Sequence, residues 1–109
     1  MKKHTITDEI KANVLRTVEQ FNRKTLAKTG QRYMARFKGK YLYLDRDDLG
    51  NVGPICRLEF AGREDHWGFA IYKYSSDSYD PEEWFFPGSG LVDGTVEGAL
   101  KAGMEAYNG

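Results

Sequence analysis

Gly39 stands between two stretches, 31–38 and 40–46, in which apolar residues fall at every second position. That spacing puts side chains on alternate faces of a strand, so the pair reads as a β-hairpin. A two-residue turn at Lys38-Gly39, with glycine supplying positive φ, sets a register. Phe37 then faces Lys40, Ala35 faces Leu42 and Tyr33 faces Leu44, which makes the core face. On the other face Arg36 meets Tyr41, Met34 meets Tyr43 and Arg32 meets Asp45: a cation–π pair, an apolar pair and an ion pair. A slip of one residue would bury Tyr41 and Tyr43 and expose Leu42 and Leu44, so the pattern resists slippage.

The hairpin is flanked by further elements. Ile10, Val14, Val18 and Phe21 recur at spacings of three and four and predict a helix over about 8–28, capped by Thr7 or Asp8 and stopped at Thr29-Gly30. After a loop over 45–53, a third strand is expected at 54–61, with Cys56, Leu58 and Phe60 inward and Ile55, Arg57 and Glu59 outward. A fourth is expected at 66–74, with Trp67, Phe69 and Ile71 inward and Gly68, Ala70, Tyr72 and Tyr74 outward. Residues 75–83 read as an acidic loop, and Trp84-Phe85-Phe86-Pro87 as a short fifth edge strand ended by proline. A last helix starts near Asp93, lined by Val96, Leu100, Met104 and Tyr107. Its internal Gly98 and Gly103 cost roughly 1 kcal/mol each against alanine, which close packing on the sheet would offset. The expected fold is α+β: an antiparallel meander of four or five strands with the N-terminal and C-terminal helices on one face.

At 109 residues the chain is one domain. Fifteen aromatic residues (seven Tyr, six Phe, two Trp) argue against disorder, and no apolar run is long enough to span a bilayer. The first residues lack the apolar stretch of a secretory signal. The single Cys56 leaves no internal disulfide and no cysteine-based zinc site, so the expected setting is the cytoplasm. The formal net charge is zero, yet residues 23–63 carry ten basic and four acidic side chains while residues 64–109 carry two basic and nine acidic ones.

No catalytic or cofactor motif emerges, and no cofactor or metal is expected. Gly88-Ser89-Gly90 lacks the lysine of a phosphate loop. Asp45, Asp47, Gly50 and Asn51 resemble a calcium loop in spacing, but Cys56 stands where a bidentate glutamate is needed. Cys56 reads as a buried thiol, His66 as a solvated turn residue and His4 as part of a frayed terminus.

The strongest signal is the outward sheet face, where Arg32, Arg36, Tyr41, Tyr43, Arg57, Tyr72 and Tyr74 interleave cations with aromatic rings. Tyrosine and arginine anchor protein interfaces, so the primary expectation is a non-enzymatic interaction module, as a homodimer or with another protein partner. The same residues suit single-stranded nucleic acid, which the zero net charge disfavours. A third reading is a small ligand-binding protein or enzyme with a pocket near 75–90, for which His66, Tyr79 and Glu83 would supply polar groups.

Overall fold

The computed structural model describes residues 5–107; His4 lies outside them. The elements are α1 (Asp8–Lys24), β1 (Gln31–Lys38), β2 (Tyr41–Asp48), β3 (Asn51–Glu59), β4 (Gly68–Lys73), β5 (Ser78–Asp80) and α2 (Val96–Ala106), with a single 3-10 turn at Ser89–Leu91 before α2. The five strands form one open antiparallel sheet in chain order. Both helices lie on the face that carries Tyr33: its ring meets Phe21 of α1 edge-on at 5.7 Å, and its hydroxyl donates to the Leu100 carbonyl of α2 at 2.8 Å.

The first hairpin keeps its expected faces but turns one residue later. Lys38 pairs with Tyr41, Phe37 with Leu42, Arg36 with Tyr43 and Met34 with Asp45. Gly39, at φ 59°, is therefore the first central residue of the turn. Both turn types that suit hairpins require positive φ at that position, and the expected turn would have imposed it on Lys38.

The expected loop over 45–53 does not form. β2 runs to Asp48 and reverses through Leu49 and Gly50, at φ 57° and 98°, directly into Asn51. A leucine at positive φ is rare, which hides this turn from composition. Local bonds hold it: the Asp47 carboxylate accepts from the Gly50 N–H at 2.7 Å, and the Leu49 N–H donates to the Gly30 carbonyl at 3.3 Å.

β3 also departs from simple alternation. Leu44 pairs with Cys56 and Asp45 with Pro54, so Ile55 is an extra residue, a β-bulge. Ile55, expected outward, is consequently as buried as Cys56 and packs under α2. Ala70 faces outward as expected, opposite Arg57, and is buried on that face.

Two further segments differ. The fifth strand is Ser78–Asp80, inside the expected loop, paired with β4 through Tyr72 and Tyr79. The segment 84–87 is not a strand. It crosses the helix side of β4, where Phe86 and Trp84 lie 5.8 and 5.9 Å from Phe69, and it covers core that α2 leaves open. The reason is partition: Phe86 and the inner side of Trp84 gain more from the open end of the core than from a solvated edge, while Phe85 stays in solvent.

α1 ends at Lys24, four residues before the expected stop. A continued helix would carry Leu26 roughly 120° off the Val14–Val18–Phe21 stripe; the turn at Thr25 instead buries it. α2 begins at Val96, after Thr95, whose hydroxyl accepts from the Gly98 N–H at 3.0 Å. Asp93 is part of this cap, accepting from the Thr95 N–H and hydroxyl at 3.0 and 2.6 Å. These bonds hold the Asp93 carboxyl below its usual pKa. A Cβ at Gly103 would lie 2.4 Å from the Tyr33 hydroxyl and 2.6 Å from Ile55, so α2 sits on the sheet at a distance only glycine allows.

Candidate functional site: the open tyrosine face

The face opposite the helices is built by register. Tyr43 stands between Arg36 on β1 and Arg57 on β3, and Tyr72 on β4 is paired with Tyr79 on β5. Ring neighbours then run across the sheet: Tyr41–Tyr43 at 6.2 Å, Tyr43–Tyr79 at 5.3 Å, Tyr79–Tyr72 at 5.0 Å and Tyr72–Tyr74 at 4.9 Å. Tyr107, at the end of α2, closes the series 5.4 Å from Tyr74. Six of the seven tyrosines thus form one chain of rings, mostly edge to face, and the seventh, Tyr33, is core. Each such contact contributes about 0.5–1.5 kcal/mol beyond burial, so the rings are held in place before anything binds.

The arginines lie within this series. Arg57 is 4.5 Å from the Tyr41 ring centroid and 5.5 Å from that of Tyr79. Its strand partner is Ala70, and Gly68 opposes the neighbouring Glu59. These small residues leave a depression of about 70 Å³ between Arg57, Glu59 and Pro81. Among the described residues Arg57 has no carboxylate at ion-pair distance, whereas Arg36 does. The Arg36 Nε donates to Asp45 at 2.6 Å and its guanidinium lies 4.8 Å from the Tyr43 ring centroid. The Asp45 hydrogen bond raises the Arg36 pKa, and the guanidinium has its counter-charge at contact distance.

Arg32 does not reach Asp45 as expected; it stands opposite Asp47 and is exposed. The Tyr72 hydroxyl donates to Asp77 at 3.1 Å. Tyr74 lies just past the end of β4, at the margin of the face, and its hydroxyl donates to the Pro54 carbonyl at 3.0 Å. Burial raises the pKa of Tyr79, with Asp45 adding to it, so all these phenols are neutral hydrogen-bonding groups at physiological pH. The structure therefore groups Arg36, Tyr41, Tyr43, Arg57 and Tyr72, places Arg32 and Tyr74 at the margins, and adds Tyr79 and Asp45. Tyr79 had one usable signal: a β-forming residue two positions after a turn-forming aspartate, Asp77.

Arg46, the last residue of the expected second strand, is 1% exposed on the helix side. It donates to Asp48 at 2.6 and 3.1 Å, to the Gly103 carbonyl at 3.3 Å and to the Tyr107 carbonyl. Burial works against its charge, but the Asp48 hydrogen bond and Tyr33 outweigh burial and raise its pKa. It is a cationic cap for the last turn of α2, not a surface group.

The groups proposed for polar chemistry do not converge. His66 sits in an exposed turn 3.1 Å from Asp65, and Tyr79 is on the open face. Glu83 lies on the rim of a 240 Å³ hollow beside Phe85, Phe86 and Tyr107, 3.9 Å from Lys73. That hollow is smaller than ordinary small-molecule sites, which start near 300 Å³. Cys56 is buried, and burial pushes its thiol far above the reactive range. No group of three potential metal-ligating side chains occurs among the described residues, and no helix is long and apolar enough to cross a membrane.

No family model matches this chain, and comparison with curated proteins and with solved structures returns no match.

Proposed function

We propose that this chain is a non-enzymatic protein-interaction module whose contact surface is the open tyrosine face. The observation that carries the reading is the continuous series of tyrosine rings with Arg57 held against Tyr41 and Tyr79. Binding surfaces lose affinity to side-chain ordering, at about 0.5–1.5 kcal/mol for each flexible group immobilised. Here the rings and the guanidinium are already ordered by one another, and tyrosine brings large area with few torsions. The pairing of Arg36 with Asp45 and of Lys40 with Glu59 leaves Arg57 amid the rings, and Arg32 and Lys38 at the β1 margin, as unpaired cations among the described residues. So few free cations favour a protein surface over a phosphate backbone, whose binding draws on many of them. Cytoplasmic residence belongs to the same proposal, in keeping with a single buried thiol.

Site-specific photo-crosslinking in cells tests this. A crosslinking residue in place of Tyr43 or Tyr79 should give discrete protein adducts, and one in place of Leu15 on α1 should not. Equal labelling from both faces, or adducts with nucleic acid, would overturn the reading.

A further inference from the structure

The linear strand order turns the charge asymmetry of the sequence into a spatial one. β1 carries Arg32, Arg36 and Lys38 and no acidic residue, while the β5 margin carries Asp77 and Glu82. Arg36 is neutralised by Asp45. Arg32 and Lys38 at one margin, and Asp77 and Glu82 at the other, are exposed and have no ion-pair partner among the described residues.

The rows of the sheet relate these margins. Arg32 is level with Asp47 and Val52, and that row leads to the β4–β5 turn that holds Asp77. Lys38 is level with Tyr41, Glu59 and Gly68. Ile71, three residues after Gly68, pairs with Asp80, so the chain just beyond β5, at Glu82, stands near the Lys38 row.

Resting on the interaction-module reading, we propose that the partner is a second copy of this chain, packed face to face about a two-fold axis that runs parallel to the strands between the two faces, over β3. Such an axis preserves each row and exchanges the margins. Arg32 then lies over Asp77 of the second copy and Lys38 over its Glu82, and each pair occurs twice because the contact is isologous. A two-fold running across the strands would set β1 on β1 and oppose like charges at both margins; the axis over β3 opposes like charges at Arg57, where each guanidinium rests against the Tyr41 and Tyr79 rings of its own chain. The axis along the strands also leaves the two sheets aligned, as in ordinary sandwiches. Edge-to-edge pairing is opposed by the structure itself. The Asn22 side-chain amide donates to the Tyr33 carbonyl at 3.0 Å and accepts from its N–H at 2.8 Å, capping the β1 edge, and β5 offers only three residues.

Size decides how tight the pair is. Five strands about 4.8 Å apart, three of them eight or nine residues long and β4 and β5 only six and three, give a face of at most roughly 20 by 25 Å in plan, short of the ~800 Å² per partner of a standard interface before side-chain relief is added. The expected dimer is therefore reversible, forming between about 10 μM and 1 mM.

Sedimentation equilibrium on the full chain tests the pairing through charge exchange. Variant one is Arg32→Glu with Lys38→Glu, and variant two is Asp77→Lys with Glu82→Lys. Each alone should dimerise about 100-fold more weakly than the parent, because every margin contact becomes repulsive. An equimolar mixture should recover dimer near the parental level, since acidic margins of one variant then face basic margins of the other. Circular dichroism and melting confirm that each variant is folded. A parental dimer that both variants leave intact overturns the proposed pairing; if Tyr43→Asp still dissociates it, the face remains the contact surface. A parent monomeric at 1 mM overturns self-association, and foreign adducts from Tyr43 then leave the interaction module standing.

Discussion

Replacing Arg46 with alanine should be among the most damaging single changes in this chain, although Arg46 touches no part of the open face. Three effects add. The Tyr107 carbonyl at the end of α2 loses its donor and the Gly103 carbonyl keeps only the Tyr107 N–H, at 3.0 Å; a buried unpaired carbonyl costs about 1–3 kcal/mol. A cation at a partly buried helix C-terminus contributes up to ~2 kcal/mol. The buried stem leaves a void where it passed 5.8 Å from the Tyr33 ring centroid. Asp48, with its side chain 34% exposed, can turn to water, which limits the damage on that side. The expected loss is about 3–5 kcal/mol, in line with breaking other buried ion pairs and large against total stabilities of about 5–15 kcal/mol. Urea denaturation should show a lower midpoint at unchanged m, and the melting temperature should fall by at least ~12 °C. Arg46→Met keeps most of the stem but no donor and should lose about half as much. An Arg46→Ala variant within about 1 kcal/mol of the parent would refute the capping role.

Gly103→Ala pits a helix-propensity gain of about 1 kcal/mol against overpacking onto two buried neighbours, Tyr33 and Ile55; overpacking costs about 1–3 kcal/mol, so denaturation should show net destabilisation, and a net gain would mean α2 can shift. Asn22→Ala removes both bonds to Tyr33 and uncovers the β1 edge, so stability should drop by about 1–2 kcal/mol and turbidity should appear earlier on heating; no change in either would remove the edge-capping role. Asp93 has a depressed folded pKa, so its cap stabilises α2 above the unfolded carboxyl value near 4 and that stability is lost as pH falls through the folded value. The stability difference between the parent and Asp93→Asn should therefore be present at pH 7 and vanish at strongly acid pH; a pH-independent difference would count against the titrating cap.

The periodicities carried element type, sheet topology and the side of the sheet that each hairpin residue occupies, because strand and helix repeats are local properties of the backbone. Ile10, Phe37 and Met104, expected in the core, belong to it only as a partly buried rim, while Val14, Val18, Leu42, Leu44, Leu58 and Leu100 are buried as their spacing requires. Other features depended on contacts between distant segments. Leu49 adopts positive φ because Asp47 and Gly30 hold its turn, and no periodicity encodes that contest. Ile55 is buried because a bulge in β3 turns it under Gly103, 48 positions away in the chain. Arg46 reads as the polar end of a strand until α2 brings its last carbonyls down onto it. The tyrosine face shows the same division. Alternation alone put Tyr41, Tyr43, Arg57 and Tyr72 on one side of the sheet. That Tyr79 joins them, that Arg36 takes Asp45 from Arg32, and that Arg57 rests on the Tyr41 and Tyr79 rings followed from the register, which turn geometry and core packing set together.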